Sequence, residues 1–221
     1  MTISIKFCGL STVEAVELAA SLGAWKAGFI FFEKSPRHVS LDTASSLAAL
    51  ARTLGLETVA VTVNPDDASL DRIIDAMKPD WIQLHGSESA ARVTEIRSRY
   101  GLPVLKALSV RDHADLDAAK AYIGLADLVL FDAKAPAGSD LPGGNGVRFD
   151  WRLLRRDASD TDYVLSGGLT VDNLAEALNV SGARYLDVSS GIERAPGIKD
   201  PDKMRAFAVA VEAAHQALTP K

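Results

Sequence analysis

Short hydrophobic runs rich in β-branched residues alternate along the chain with longer, alanine-rich segments. In the long segments apolar residues recur as on one face of a helix, whereas the short runs have the composition of buried strands. This alternation predicts eight strands, each followed by a helix. The predicted strands are 3–8, 26–32, 57–63, 80–85, 103–108, 126–131, 162–166 and 184–188, and the predicted helices are 12–22, 41–54, 67–78, 88–100, 112–122, 149–156, 171–179 and 200–217.

Residues that favour helix ends support several of these boundaries. Ser40 precedes the second helix, Ser87-Glu88 opens the fourth, and Gly101 falls where that helix should stop. No shift in composition marks a linker, so we expect one domain over residues 1–221. Eight strand–helix units in this length favour an α/β fold of the closed (β/α)8 TIM barrel type over a doubly wound sheet.

The composition is typical of a globular domain and argues against several classes of partner. Hydrophobic residues make up 48% of the chain and charged residues 24%, with a formal net charge of −5. We therefore expect no nucleic-acid or membrane partner. The chain begins directly with strand residues, has no apolar run of the roughly 18 residues that a spanning helix needs, and contains one cysteine. These features predict a cytoplasmic protein without an internal disulfide or a thiolate-rich metal site.

Polar side chains gather at the carboxyl ends of the predicted strands, where barrels of this kind carry their chemistry. The only cysteine, Cys8, ends the first strand and is followed at once by Gly9. A lone cysteine is more often a small, buried apolar residue of the core. Here, however, polar residues also stand at or just after the carboxyl ends of other predicted strands, which favours an active site at this end of the barrel. These positions are Cys8, Arg37, Asn64, His85, Asp132, Ser166 and Ser189.

The loops after the last two predicted strands have the composition of a phosphate site. The loop after the seventh strand contains Ser166, Gly167 and Gly168. The eighth strand contains Asp187 near its end, and the loop after it begins with Ser189-Ser190-Gly191. Glycines let backbone N–H groups approach an anion, and serine hydroxyls add donors. The alternative is that the glycine pair only makes a tight connection, but two such loops occur together where this fold binds phosphate. A small phosphorylated substrate is therefore expected.

Two strand ends supply candidates for proton transfer. If Cys8 points into the barrel mouth, Lys6 shares its face, because side chains alternate along a strand. The Lys6 ammonium could then favour the thiolate, which is the form that takes a proton, or it could pair with Asp187 or another inward carboxylate and only hold the core. Asp132 follows four hydrophobic residues, which should raise its pKa unless cations compensate and would suit it as a general acid. Its alternative role is to cap the next loop.

Three further features are candidates for contact with the substrate. His85 is ambiguous between a structural and a substrate-binding role, and we do not include it in the acid–base pair. Arg37 follows the second strand, where its guanidinium could clamp a carboxylate or simply lie at the surface. The loop 133–146, with Gly144 and Gly146, is long and poor in apolar residues. It is typical of a mobile lid over the site, with plain disorder as the alternative.

Together these segments resemble the phosphoribosylanthranilate isomerase family of tryptophan biosynthesis, over nearly the whole chain. Each segment alone is weak evidence, but their order and spacing are specific. Two positions depart from the usual pattern: Phe7 stands for an isoleucine and Thr62 for a phenylalanine, and neither is a candidate catalytic position. The matching segments are Lys6-Phe7-Cys8-Gly9-Leu10, Gly28-Phe29-Ile30-Phe31, Ser35-Pro36-Arg37-His38-Val39, Gln83-Leu84-His85-Gly86, Phe131-Asp132, Gly143-Gly144-Asn145-Gly146, Phe149-Asp150-Trp151, Leu165-Ser166-Gly167-Gly168-Leu169, Asp187-Val188-Ser189-Ser190-Gly191-Ile192-Glu193 and Pro196-Gly197-Ile198-Lys199-Asp200.

The resemblance implies an Amadori rearrangement of N-(5-phosphoribosyl)anthranilate to 1-(2-carboxyphenylamino)-1-deoxyribulose 5-phosphate. In that reaction Asp132 would protonate the furanose ring oxygen, and Cys8 would remove the proton from C2′ of the resulting Schiff base. Arg37 would hold the anthranilate carboxylate. The family needs no metal or organic cofactor, since the protonated imine is itself the electron sink, and we expect none here.

Two other functions stay open from the sequence. The related histidine-pathway phosphoribosyl sugar isomerase, or an isomerase acting on both substrates, would typically use a carboxylate base in the first strand and carry phosphate signatures in both halves of the barrel. A non-catalytic barrel that senses sugar phosphates would need neither Cys8 nor Asp132. We expect a monomer by default, with a homodimer as the alternative.

Overall fold

The computed structural model shows a closed barrel of eight parallel strands and describes residues 3–136, 138–139, 141–154 and 162–218. Each strand pairs in parallel with the next one along the chain, and the eighth pairs with the first to close the barrel. The predicted TIM barrel is therefore confirmed, and the strands differ from their predicted bounds only at the ends. They are β1 Ser4–Cys8, β2 Lys26–Phe31, β3 Glu57–Thr62, β4 Trp81–Leu84, β5 Val104–Val110, β6 Leu128–Ala133, β7 Tyr163–Leu165 and β8 Tyr185–Val188.

Helices pack around the outside of the barrel, and several begin at a side-chain cap. Thr12 and Ser40 each accept a hydrogen bond from a backbone N–H of the following first turn. In the fourth helix the cap is Ser89 rather than the predicted Ser87-Glu88, because the Glu88 carboxylate pairs with Lys106 instead. The helices are α1 Val13–Ser21, α2 Leu41–Thr53, α3 Asp67–Met77, α4 Ala90–Tyr100, α5 His113–Ala119, α6 Leu174–Ser181 and α7 Pro201–Leu218.

Two segments differ from the predicted elements. In the described part of the predicted helix 149–156 only Trp151–Leu154 is helical, as a 3₁₀ helix, and residues 155–156 lie outside the described ranges. Its two buried ends are three residues apart, the spacing at which a 3₁₀ helix places both on its core side. After β8 the chain forms a two-stranded hairpin, β9 Glu193–Ala195 and β10 Ile198–Lys199, whose strands are too short to give a hydrophobic period.

Alternation along β1 decides which of its side chains enter the barrel. Lys6 and Cys8 face inward, where both lie against β2: a Cβ at Gly28 would be 3.0 Å from Lys6 Nζ and 3.1 Å from Cys8 Sγ. Phe7, between them, is fully buried in the layer between the strands and the helices. Trp25 and Tyr185 pack together at the amino ends of the strands, with ring centroids 4.8 Å apart. These rings fill the amino end of the barrel together with the buried Lys26, whereas Cys8 lies toward the carboxyl end.

Candidate active site

All of the residues predicted for the site except Asn64 line one cleft at the carboxyl ends of the barrel strands. The fold thus gathers residues that are far apart in the chain. Apolar side chains such as Ile30, Val61 and Leu141 complete the walls and offer a surface for an aromatic ring. The predicted residues found there are Cys8, Arg37, His85, Asp132, Gly144, Gly146, Ser166, Gly167, Gly168, Asp187, Ser189, Ser190 and Gly191.

The Cys8 thiol borders this cleft but is only 5% exposed. Burial raises its pKa above the ordinary thiol value, and the Asp187 carboxylate adds to that rise. The ammonium groups of Lys6 and Lys199 act in the opposite direction without reversing the shift. The thiol is therefore mostly protonated at neutral pH, and the two cations make its thiolate more accessible than burial alone would allow.

Lys6 contacts both of the groups that the sequence considered for it, the Cys8 thiol and an inward carboxylate. Its ammonium donates a hydrogen bond to Asp187 Oδ1 at 2.5 Å, inside the barrel, and it also lies beside the Cys8 thiol. Burial by itself would lower the pKa of Lys6, but Asp187 and Cys8 raise it above the ordinary value, so Lys6 stays charged. The second oxygen of Asp187 accepts a hydrogen bond from Ser166 Oγ at 3.2 Å. One buried ion pair thus joins Cys8 to the loop after β7.

Asp132 faces inward at the end of β6, and two hydrogen bonds orient its carboxyl group. Oδ1 accepts the Ala133 N–H at 2.8 Å, which is the loop-capping role, while Oδ2 lies 3.2 Å from His85 Nε2. The other ring nitrogen of His85 lies 2.8 Å from Gln83 Nε2. With the amide in this orientation Nδ1 of the imidazole accepts and Nε2 donates to Asp132. Gln83, His85 and Asp132 therefore form a chain that leads to the candidate acid.

The loop after β6 lies over the site in this structure. A Cβ at Gly143 would come within 2.6 Å of both Asp132 Oδ2 and His85 Nε2, and one at Gly144 within 2.8 Å of Arg37 Nη1. Glycine permits this close approach of the backbone, which a larger residue would prevent. The loop covers the carboxyl group and the guanidinium as a lid would, and its motion stays a prediction.

The two glycine-rich loops meet at one side of the cleft and offer free backbone donors. Gly167 and Gly168 have φ angles of 86° and 64°, and neither N–H has a hydrogen-bond partner among the described residues. The loop after β8 continues as a 3₁₀ helix, Ser190–Ile192. A Cβ at Gly191 would collide with the Leu169 carbonyl, so the two loops touch there. Free N–H groups beside serine hydroxyls are suited to a phosphate dianion.

Arg37 is buried and already holds a carboxylate of the protein, so the interpretation as a surface arginine is wrong. Its Nε and Nη2 donate to the two oxygens of Glu193, each at 2.8 Å, in a bidentate pair. Nη2 also approaches the Gly144 carbonyl at 3.4 Å. Nη1, by contrast, has no hydrogen-bond partner in the part of the chain that the structure describes. This edge of the guanidinium is available to the carboxylate of a ligand.

The Glu193 carboxylate joins Arg37 to a second buried cation. Lys199 Nζ donates to Glu193 Oε1 at 2.7 Å and to the carbonyl and hydroxyl oxygens of Ser189 at 3.1 and 3.2 Å. Burial would raise the pKa of Glu193, but the hydrogen bond from Arg37 and the charge of Lys199 hold it below its usual value. Burial lowers the pKa of Lys199, and Glu193 offsets that only in part.

Sequence reasoning assigned no role to three residues that shape the site. Gln83 could have been found, because it shares the inward face of β4 with His85. Glu193 and Lys199 occur in recognisable motifs, but nothing local in the sequence shows which cation or carboxylate they meet. Asn64, noted at a strand end, is not part of the cleft lining: its Oδ1 accepts the Ser87 N–H at 2.8 Å and braces the loop after His85.

The described residues contain no group of three or more His, Cys, Asp and Glu side chains placed to hold a metal ion. Nor does any helix in these ranges have the length and apolar character needed to cross a bilayer.

Comparisons with known proteins point to one family. Residues 5–210 match the family model described as N-(5'-phosphoribosyl)anthranilate (PRA) isomerase. A protein of that name from Allorhizobium ampelinum is 56% identical over 214 residues, covering 97% of this chain and 95% of the relative, and one from Rhizobium meliloti is 55% identical, covering 97% and 99%. The phosphoribosyl anthranilate isomerase structure from Thermotoga maritima is 30% identical with a TM-score of 0.85, covering 96% of this chain and 100% of that one. Another isomerase structure, in complex with reduced 1-(o-carboxyphenylamino)-1-deoxyribulose 5-phosphate, is 28% identical with a TM-score of 0.81 over the same shares of the two chains.

Proposed function

The chain belongs to the N-(5'-phosphoribosyl)anthranilate isomerase family, and we propose how its own residues divide the work of that reaction. It is an isomerase of tryptophan biosynthesis that converts N-(5-phosphoribosyl)anthranilate, an aminoaldose, to the aminoketose 1-(2-carboxyphenylamino)-1-deoxyribulose 5-phosphate. The observation that carries the division of roles is that one thiol and one carboxyl group, Cys8 and Asp132, border a single cleft that also contains the unpaired backbone N–H groups of Gly167 and Gly168 and the Arg37 guanidinium.

Asp132 acts as the general acid. It gives a proton to the furanose ring oxygen while the bond between that oxygen and C1′ breaks, which leaves a protonated Schiff base on the anthranilate nitrogen. His85 and the Ala133 N–H hold the carboxyl group in place for this transfer. The Gly143 backbone lies against the same carboxyl group and limits the access of water to the opened imine.

Cys8 acts as the general base. Its thiolate takes the proton from C2′, and the electron pair of that C–H bond forms the C1′=C2′ double bond as the imine nitrogen loses its positive charge. The enolamine then gains a proton at C1′ and loses the proton of its O2′ hydroxyl, which gives the ketone. Lys6, beside the thiol, favours the thiolate that starts this step.

The two ends of the substrate are both anionic and bind at opposite ends of the acid–base pair. We assign the phosphate to the free N–H groups of Gly167 and Gly168 and to the loop Ser189-Ser190-Gly191. The carboxylate of the anthranilate ring is assigned to Nη1 of Arg37, because Glu193 occupies the other edge of the guanidinium. These contacts orient C1′ and C2′ between the acid and the base.

We further propose that the protein acts in the cytoplasm and as a monomer. A charged sugar phosphate does not cross membranes unaided, and the single cysteine is a buried free thiol, as in proteins of a reducing compartment. The exposed large hydrophobic residues of the described chain belong to separate elements, for example Leu54, Ile123 and Val209. A structure from Thermotoga maritima concerns a dimeric isomerase of this kind, so sedimentation is the direct test for this chain.

The test of the proposed roles is the loss of anthranilate-type fluorescence when the purified protein meets freshly generated phosphoribosylanthranilate. Wild-type protein is compared with the Cys8→Ser variant and with enzyme-free buffer, because the substrate also decays on its own. The proposal expects fast decay with wild type, decay near the background with the variant, and tight binding of the reduced product analogue by both. Wild-type turnover in Cys8→Ser would remove Cys8 from the base role.

A further inference from the structure

The β9–β10 hairpin lies next to the site, and apart from the effect of the Lys199 charge on the Cys8 thiol it has no role in the chemistry proposed above. It follows the phosphate loop after β8 directly. Its first and last strand residues, Glu193 and Lys199, form an ion pair of 2.7 Å in which each side chain is only 4% exposed. A buried ion pair must have partners for its remaining donors and acceptors to offset desolvation, and these partners connect the pair to two different parts of the cleft.

One end of this pair holds the guanidinium of the carboxylate site. Glu193 Oε1 accepts from Arg37 Nε as well as from Lys199, and Oε2 accepts from Arg37 Nη2 and from the Gly197 N–H at 3.2 Å. Each oxygen therefore has two donors. Because Arg37 is held by two of its nitrogens, its plane and the direction of Nη1 are both determined by Glu193.

The other end of the pair holds the start of the phosphate loop. The Lys199 ammonium donates to the carbonyl and the hydroxyl of Ser189, the first residue after β8. Glu193 and Lys199 are thus a continuous bridge of charged hydrogen bonds from Arg37 to Ser189, and all four side chains lie at the same end of the barrel.

The hairpin that carries this bridge is itself tightly anchored. Gly197, with φ of 81°, lies so close to the Pro36 carbonyl that a Cβ would collide with it, so the hairpin turn presses on the loop that carries Arg37. At the base of the hairpin the Asp200 N–H donates to the Ile192 carbonyl at 2.9 Å. Because these contacts hold the hairpin in place, they also fix the distance that the bridge spans between Arg37 and Ser189.

We propose that Glu193 and Lys199 are positioning residues that set the spacing between the carboxylate-binding Arg37 and the phosphate-binding loop at Ser189. The inference rests on the proposed function, in which one substrate carries an anion at each end. A ligand that carries both anions binds more tightly when the distance between Arg37 and the phosphate loop matches the distance between its anionic groups. Its second anion then binds within a complex that the first anion has already formed. A ligand with a single anion does not gain in this way.

Lys199→Met breaks the bridge by removing its ammonium group. The Glu193 carboxylate is not left unpaired by this change, because it still accepts two hydrogen bonds from Arg37. Calorimetry with the folded variant measures three ligands: inorganic phosphate, anthranilate, and the reduced product analogue that carries both groups. We expect the analogue to bind at least roughly tenfold more weakly than to wild type, while each single-anion ligand changes by less than about threefold. In steady-state kinetics KM rises more than kcat falls.

Lys203→Met is the matched control. Lys203 is exposed and donates to the Glu193 carbonyl at 2.7 Å, so it touches the same hairpin without reaching Ser189 or the Glu193 carboxylate. We expect wild-type affinity of this control for all three ligands. If Lys199→Met fails to fold, as judged by circular dichroism and thermal unfolding, Lys199→Gln removes the same charge and serves in its place.

Two results would overturn the spacing role. Unchanged affinity of the folded Lys199 variant for the analogue shows that the bridge does not matter for binding, and an equal loss for phosphate alone shows a purely local effect on the loop. Arg37→Ala separates this proposal from the proposed function. If that variant binds anthranilate as wild type does, the carboxylate assignment of Arg37 is wrong and the spacing role falls with it, while the isomerase activity and the roles of Cys8 and Asp132 stand.

Discussion

Lys6 Nζ and Asp187 Oδ1 form a 2.5 Å ion pair inside the barrel, and this pair connects the thiol of the site to its phosphate loop. Lys6 lies beside Cys8 on one side, and Asp187 accepts from Ser166 on the other. Because both charges are buried, removing either partner leaves an unpaired charge and costs about 3–5 kcal/mol. The chemistry around the pair is therefore better tested by variants that leave it intact.

The pH titration of the Cys8 thiol is the first prediction. Its pKa is raised above the ordinary thiol value by burial and by Asp187, so we expect thiolate to form only at alkaline pH. Inorganic phosphate adds negative charge to the cleft and should shift the titration further upward. Since the chain has one cysteine, the difference in ultraviolet absorbance between wild type and Cys8→Ser reports this thiolate alone.

The same titration should appear in the kinetics. A reaction that needs one protonated and one deprotonated group has a bell-shaped dependence on pH, and its alkaline limb begins at the higher of the two apparent pKa values. With Cys8 as the base, kcat/KM should therefore begin to fall where the thiol titrates. An alkaline limb that lies well away from the absorbance titration would contradict the assignment of Cys8 as the base.

Asp132→Asn should abolish turnover without unfolding the protein. The amide keeps the size of the carboxyl group and can still accept the Ala133 N–H, but it has no proton to give to the ring oxygen. A positioned acid contributes roughly 10²–10⁴-fold, and kcat should fall by that order. Thermal unfolding and binding of the product analogue check the fold. Asp127→Asn, at the opposite end of β6, is the control with expected wild-type kcat, and substantial turnover by Asp132→Asn would refute the acid role.

Gln83→Glu should lower kcat more than Gln83→Leu does. A carboxylate beside Nδ1 favours the doubly protonated imidazole of His85, and a cationic His85 next to Asp132 favours the ionised carboxylate, which cannot act as an acid. Leucine only removes the hydrogen bond to Nδ1. Gln83 Oε1 is buried and has no hydrogen-bond partner among the described residues. Replacing this oxygen by a methyl group of leucine therefore breaks no hydrogen bond. Equal kcat values for the two variants would show that the charge of His85 does not influence the acid.

The barrel and the strand-end residues could be predicted because both depend on periodicity along short stretches of chain. Once eight strands alternate with helices, the ends of the strands must meet, and Cys8, His85 and Asp132 are brought together without any further information. The partners of these residues depend on contacts across the fold. Arg37 meets Glu193 across 156 positions of sequence, and no local pattern tells which buried carboxylate faces which cation.

The two contacts of Lys6 likewise could not be established from the sequence alone. Parity along β1 correctly placed it on the face of Cys8, and the sequence offered Asp187 or another inward carboxylate as its partner, but only the geometry shows that the contacts with Cys8 and Asp187 exist together. The β9–β10 hairpin was missed altogether, because its strands are too short for the alternation that identifies a strand.

At the amino end of the barrel, Lys26 is fully buried among aromatic rings. Its ammonium lies 3.9 Å from the ring centroid of Trp25 and 4.0 Å from that of Trp81, and it contacts the Glu57 carboxylate, which also accepts from Trp81 Nε1. The ring faces and Glu57 favour the charged form. Burial and repulsion by Lys6 oppose it and lower the pKa of Lys26 to about 7.

Lys26→Met should therefore make stability less dependent on pH. Unfolded Lys26 titrates near 10.5 and folded Lys26 near 7, so between these values the unfolded state binds more protons and the free energy of unfolding of wild type rises with pH, by at most about 1.4 kcal/mol per unit from this residue. Below about pH 7 Lys26 is charged in both the folded and the unfolded state, and the destabilisation caused by burying this charge no longer changes with pH. Methionine removes this titration, so urea unfolding at a series of pH values should show the stability of wild type increasing relative to the variant from neutral to alkaline pH. A difference between the two proteins that stays constant over this range would show that Lys26 keeps its ordinary pKa in the folded barrel.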